Sequence, residues 1–183
     1  MATTAAACRR LLCVAPLVPA GGVDTLLTAF GMLADDRPDL TVDVVGRGPL
    51  SRVLRAHAAY LGVAGRVDFR GSLSAPAVRA AVRGCAVLVL PHRDGRAAAA
   101  PTVEVALLAA LASACPVVAT PHATPDSALP DTELVVPPDV PTVLAQALET
   151  ALDARGPADP RGVRDGADHD GHLLRRAWLR VVR

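Results

Sequence analysis

The stretch Val14-Ala15-Pro16-Leu17-Val18-Pro19-Ala20-Gly21-Gly22-Val23-Asp24-Thr25-Leu26-Leu27 decides how this chain folds. It joins a short apolar run, Leu11 to Ala15, to a longer amphipathic run opening at Val23, through two prolines and a glycine pair. A short continuous apolar run bounded by turn residues reads as a buried strand, and the spaced apolar residues after it read as a helix. The unit is therefore strand, tight turn, helix.

The same alternation continues outward. After a first strand over about Leu11 to Ala15 and a helix over Val23 to Ala34, the pattern predicts a strand at Leu40 to Val45 and a helix from Leu50 to Leu61. Pro49 opens that helix, because a proline at the first turn sacrifices no needed donor. A third strand is expected at Arg66 to Phe69, then a helix capped by Ser74 and running to Arg83, then the apolar strand Ala86 to Leu90 ended by Pro91. A helix over Val103 to Ala112, a strand at Pro116 to Ala119, a short strand at Glu133 to Val136 and a helix over Thr142 to Leu152 complete the series. Strands alternating with helices define an α/β domain, a single Rossmann-like three-layer domain with a parallel sheet. This domain is expected to span residues 1–153. Residues 154–171, rich in Gly, Pro, Asp and Arg, are expected to be a flexible linker, and residues 172–183 a C-terminal helix carrying Trp178.

Composition narrows the function classes. With 183 residues, 51% of them hydrophobic, the chain supports one well-cored domain and not two full α/β domains. All 19 basic side chains are Arg, so arginine frequency alone carries no functional signal. A net charge of +1 with interspersed signs offers no broad cationic surface, which argues against nucleic acid as a partner. Cys8, Cys13, Cys85 and Cys115 lack CxxC spacing and read as buried reduced thiols, fitting a cytoplasmic location. The basic-apolar N-terminus resembles a signal peptide, but Pro16 and Pro19 break it early. Val105 to Pro125, interrupted by Pro116, falls short of the roughly 20 predominantly apolar residues a bilayer span requires. No metal site and no cofactor is indicated.

In its frame, the opening stretch resembles the start of the donor-binding half of retaining family-4 glycosyltransferases with the GT-B fold. That family usually reads V-G-R-L-V-P-E-K-G-V-D-T-L-L here, and its Arg and Lys hold the diphosphate of a nucleotide sugar. The matching positions in this chain are Pro16 and Gly21. Further landmarks follow in order: Val45-Gly46-Arg47-Gly48-Pro49-Leu50 is similar to the family's V-G-x-G-P-L, and Val67-Asp68-Phe69-Arg70-Gly71 to V-x-F-x-G. Val87 to Pro91 resembles the strand before the donor loop, and Cys115-Pro116-Val117-Val118-Ala119-Thr120 resembles T-P-V-V-A-T. The likeness covers about Leu11 to Leu152.

The resemblance implies two carboxylates with seven residues between them, one near the transferred sugar and one on the ribose. Alignment of Asp94-Gly95-Arg96 through Pro101-Thr102-Val103 with D-G-x-A-E-G-L-P-T-V places Ala98 and Ala106 there; anchoring on Cys115-Pro116 places Pro101 and Ala109 instead. Both frames leave neither carboxylate. Glu104 is the one acid in the segment, either shifted into the ribose role or an exposed glutamate favoured by a helix N-terminus.

The remaining candidates for binding a nucleotide sugar are loop residues. Gly21, Gly22, Gly46 and Gly48 allow close backbone approach, and Arg70, Gly71 and Ser72 follow the third strand. Arg47, Arg93 and Arg96 lie beyond the carboxyl ends of predicted strands, as replacement charge or as solvated loop residues. His92 is the titratable residue best placed to act as a base, if it is not simply a loop residue. The resulting expectation is a glycosyltransferase-like donor half, a pseudoenzyme with no catalytic residue assigned. The chain starts almost at the first donor-half strand, so the acceptor-binding half is expected to be absent. The alternative is a non-catalytic binding or assembly module, or half of a split enzyme that meets an acceptor-domain partner or self-associates.

Overall fold

The computed structural model describes residues 9–123 and 133–154. The strands are β1 (Arg9–Val14), β2 (Leu40–Val45), β3 (Val67–Gly71), β4 (Val87–Leu90), β5 (Val117–Ala119) and β6 (Glu133–Val135). They form one sheet in the order β3-β2-β1-β4-β5-β6, and every neighbouring pair is parallel. The helices among the described residues are α1 (Val23–Leu33), α2 (Ser51–Tyr60), α3 (Ala75–Gly84), α4 (Gly95–Ala98), α5 (Pro101–Ala112) and α6 (Pro141–Ala154). This is the doubly wound order in which the chain reverses direction across the sheet between β1 and β4.

Burial on both faces explains why the strands read as continuous apolar runs rather than alternating ones. Along β1 the side chains alternate between two cores: Leu11 and Cys13 join one, Leu12 and Val14 the other. In β4, Val87 and Val89 face the first core while Leu88 and Leu90 face the second. The first core is closed by α1, α2 and α6 through Leu26, Leu27, Phe30, Leu54 and Leu148; the second by α3 and α5 through Val78, Val82, Val103, Ala106 and Ala110. The period-two rule thus distributes β1 and β4 to two helical layers.

One charged residue interrupts β2. Asp43 is buried, and it is held by Arg70 at 2.9 Å and Arg10 at 3.6 Å. Pairing and hydrogen bonding make such a carboxylate tolerable at a buried position.

The element order expected from sequence is the order found, with ends displaced by a few residues. Three local readings need correction. Ser74 occupies the residue before α3 but its hydroxyl makes no capping bond, and that helix start carries Pro76 in its first turn. Pro49 lies in the turn ahead of α2 rather than inside it. The four-residue α4 has no counterpart in the sequence reading; Asp94 caps it by accepting from the Ala97 amide at 2.9 Å. The expected linker at residues 154–171 lies outside the described residues apart from Ala154, which ends α6. The expected C-terminal helix with Trp178, and Cys8, lie outside them entirely.

Candidate functional site

All strands point the same way, so the segments following them gather at one edge of the sheet, and the β1–β4 reversal there is where ligand crevices form in sheets of this kind. The loop after β1 passes through a 3-10 turn at Pro19–Gly21 into α1. It is bonded to the loop after β4 by the Arg93 amide, which donates to the Ala20 carbonyl at 2.8 Å. It is bonded to the loop after β2 by the Leu17 amide to Arg47 (2.9 Å) and the Leu50 amide to Leu17 (3.0 Å).

The glycines make this packing possible. Gly22 has φ +67°, and a Cβ there would stand 1.8 Å from the Pro91 carbonyl oxygen. A Cβ at Gly21 would stand 2.0 Å from the Pro16 oxygen. Gly46 and Gly48 press in the same way on the Ala15 and Leu17 carbonyls. Their amides are drawn inward too: Gly21 donates to Val18 at 2.9 Å, Gly22 to Pro19 at 3.4 Å and Gly46 to Gly71 at 2.9 Å. These glycines bring backbone against backbone within the site.

The structure separates the candidate arginines. Arg93 lies in the loop after β4 at the β1–β4 reversal, where its Nη1 and Nη2 donate to the two oxygens of Asp24 at 2.9 and 2.8 Å. Its Nε donates to Asp139, its Nη1 also to the Pro19 carbonyl, and its Nη2 to Thr25 Oγ1 at 3.0 Å. Thr25 in turn donates to Asp139 at 3.3 Å. Burial alone would raise the Asp24 pKa; the Arg93 hydrogen bonds and charge overcome it and hold the carboxyl below its ordinary value. The bond to Asp24 likewise raises Arg93 above the usual arginine value. Arg47 and Arg96 are exposed, and neither forms an ion pair among the described residues. Arg47 stands beside Gly71, next to exposed Ser72. Arg70 turns away to Asp43 and Asp68.

His92 is completely buried beneath these loops. Its carbonyl accepts from Thr120 Oγ1, which ties the end of β4 to the end of β5. Neither ring nitrogen meets hydrogen-bond geometry with a partner among the described residues. Burial pushes the imidazole down to about 4, against the weaker pull of the Val14 carbonyl and the Asp94 charge. His92 is therefore neutral at pH 7 and shielded from solvent.

Glu104 is exposed on the first turn of α5. Ala98 is half-buried in α4, while Ala106 is fully buried in the second core. Asp24, Thr25 and Asp139 were not singled out in the sequence. Their link to Arg93 spans 69, 68 and 46 residues, and no local pattern marks contacts at that separation.

The fold and this edge are those of a doubly wound α/β domain. The profile of the family described as "Glycosyl transferases group 1" matches residues 8–154, and the chain belongs to that family. Its fold is that of the C-terminal half of GT-B enzymes. A similar solved structure is the C-terminal domain of a glycosyl transferase group 1 family protein (LpcC) from Francisella tularensis, with 16% identity and a TM-score of 0.68 over 95% of this chain and 84% of that one. WaaG, a glycosyltransferase involved in lipopolysaccharide biosynthesis, is 20% identical with a TM-score of 0.66, over 96% of this chain and 43% of that one. Anabaena Alr3699/HepE, solved with UDP-glucose, is 16% identical with a TM-score of 0.67, over 94% of this chain and 43% of its own. The chain thus spans under half the length of those two relatives. The comparison with curated proteins found no match. Among the described residues no helix is long and apolar enough to cross a membrane, and no group of three or more His, Cys, Asp or Glu side chains is placed to hold a metal.

Proposed function

We propose that this chain is a family-4 type donor half, degenerate in its motifs and impaired in catalysis on its own, whose crevice accepts a nucleotide diphosphate weakly. The observation that carries this reading is the state of Arg93. The arginine nearest the β1–β4 reversal is engaged by two carboxylates, Asp24 and Asp139, so this cluster has a net negative charge and repels the diphosphate it would serve. Sugar transfer with retention builds negative charge on a departing diphosphate, and preorganised positive groups supply most of its stabilisation. Arg47 and Arg96 remain on the rim, where solvent screens them.

The family resemblance adds that Pro16 and Gly21, together with Ala98 and Ala106 in one frame or Pro101 and Ala109 in the other, occupy positions of charged ligands to the donor. Turnover on this reading depends on groups and an acceptor-binding wall contributed by another domain or chain. The test is calorimetric titration with UDP and GDP, together with a sugar-nucleotide hydrolysis assay. Binding weaker than micromolar and hydrolysis at the spontaneous rate are expected. Micromolar affinity, or turnover lost on mutation of His92 or Glu104, would overturn the reading.

A further inference from the structure

At the opposite edge of the sheet from the crevice, two thiols meet. Cys85 follows α3 directly and Cys115 stands just ahead of β5. Because β4 and β5 pair with Leu88 opposite Val117, the segments leading into these strands run side by side, and the two Sγ atoms lie 3.5 Å apart. We propose that Cys85 and Cys115 are a modification site, a dithiol that closes reversibly to a disulfide and covalently ties the end of α3 to the start of β5.

Closing the bond requires the sulfurs to approach by about 1.5 Å, within reach of small rotations about χ1, since bonded sulfurs sit about 2.05 Å apart. Both thiols are buried within the second core, and the Cys85 thiol donates to the Val82 carbonyl at 3.2 Å. Such a thiol reacts slowly while it stays protonated. Access comes from the turn beside it. Gly84 and Ala114, the residues immediately preceding the two cysteines, are exposed. Ala114 also holds φ at +49°, a left-handed conformation unfavourable for a residue with a Cβ. That turn is the weak point through which Cys115 reaches solvent.

The chemistry is thiol–disulfide exchange with a low-molecular-weight disulfide. The Cys115 thiol loses its proton, and the thiolate attacks one sulfur of the oxidant, breaking its S–S bond and releasing one small thiolate. The Cys85 thiolate then attacks the Cys115 sulfur of the mixed disulfide and expels the second. Two protein thiols are oxidised by two electrons, one external disulfide is reduced, and both protons end on the released small thiols. Once the mixed disulfide forms, the neighbouring sulfur makes closure an intramolecular step. This site is independent of the donor-half reading.

The experiment exposes native full-length protein to oxidised glutathione, quenches with acid, and maps peptides by mass spectrometry. Cleavage after arginine places the four cysteines on separate peptides. A linked Cys85–Cys115 peptide is expected, with Cys13 still a thiol and with a thermal midpoint several degrees higher that reverts with dithiothreitol. Cys85→Ala abolishes the linkage and leaves a glutathione adduct on Cys115. Should that variant fold poorly, the wild-type map decides by itself. The proposal is overturned if glutathione modifies Cys8 while Cys85 and Cys115 stay reduced, if their adducts never close, or if the linkage forms only in denaturant.

Discussion

Gly21 and Pro16 are not two independent gaps but one contact: the Gly21 α-carbon lies so close to the Pro16 carbonyl that an added Cβ would stand 2.0 Å from its oxygen. The family resemblance puts a Lys and an Arg at these positions. In this chain the 3-10 turn is closed on itself, with the Gly21 amide donating to the Val18 carbonyl at 2.9 Å.

Gly21→Lys is therefore expected to destabilise the domain by about 1–3 kcal/mol, as overpacking does, and to loosen rather than tighten UDP binding. Pro16→Arg, on a half-buried position whose backbone need not move, is the substitution expected to gain affinity. Urea denaturation and calorimetry on each variant decide the matter. A Gly21→Lys protein of wild-type stability with tighter UDP binding would show that the turn is softer than its contacts imply.

Arg93 binds α1, the 3-10 turn and the loop before α6 together through Asp24, Pro19 and Asp139. Arg93→Ala is expected to cost about 1–2 kcal/mol, at the low end for charge-assisted bonds because the side chain is partly exposed. Asp139→Asn should do the reverse for ligand binding: with one carboxylate neutralised, UDP affinity rises several-fold. Unchanged affinity in Asp139→Asn would mean that Arg93 does not face the ligand.

The fold was legible in the sequence because most strands carry a short apolar run, Val87 to Leu90 among them, and most connections a run of helical period. Those are local signals. The short α4 was missed because Asp94 caps only four residues, too few to show a period. The site was less legible. Gly21, Gly22 and Gly46 fit two readings in the sequence, close backbone approach to a ligand or the needs of tight turns, and in the fold each lies against a carbonyl, Gly22 against that of Pro91 in the loop after β4. Arg93 looked like a loop charge because its partners Asp24 and Asp139 are distant in sequence.

His92 predicts a pH dependence of stability. Its folded-state pKa is depressed to about 4 from the ordinary 6.5, so between those values the unfolded chain binds a proton that the folded chain refuses. Stability contributed by this residue is complete above pH 6.5 and falls as pH drops toward 4, by on the order of 3 kcal/mol in all. His92→Leu should abolish that loss and be the more stable protein at pH 5. Denaturation midpoints for both proteins at pH 7.5 and pH 5 test this. Asp24 loses its contribution only below its own ordinary value of 3.8, outside the window. Parallel losses in the two proteins would assign the effect to other groups.

Ala106 sets the last expectation. The resemblance gives one frame in which Ala98 and Ala106 stand at the two family carboxylates, so restoring both invites itself as a rescue. The structure treats the positions differently. Ala98 is half-buried in α4, whereas Ala106 has no solvent exposure and lies in the second core with Leu107, Ala109 and Ala110. A glutamate at 106 must displace packed neighbours and leave a carboxyl group without partners in an apolar layer. Overpacking and desolvation add, and the cost is expected to reach about 3 kcal/mol or more, with the new carboxyl driven toward its neutral form. Ala98→Glu should fold normally, at a cost under about 1 kcal/mol. The double variant should neither bind UDP more tightly nor hydrolyse a sugar nucleotide, because α5 must shift before its glutamate reaches the crevice. Circular dichroism melts and a coupled nucleotide-release assay on both single variants and the double separate these effects. A stable Ala106→Glu protein with measurable hydrolysis would place that position at the crevice and revive the catalytic reading.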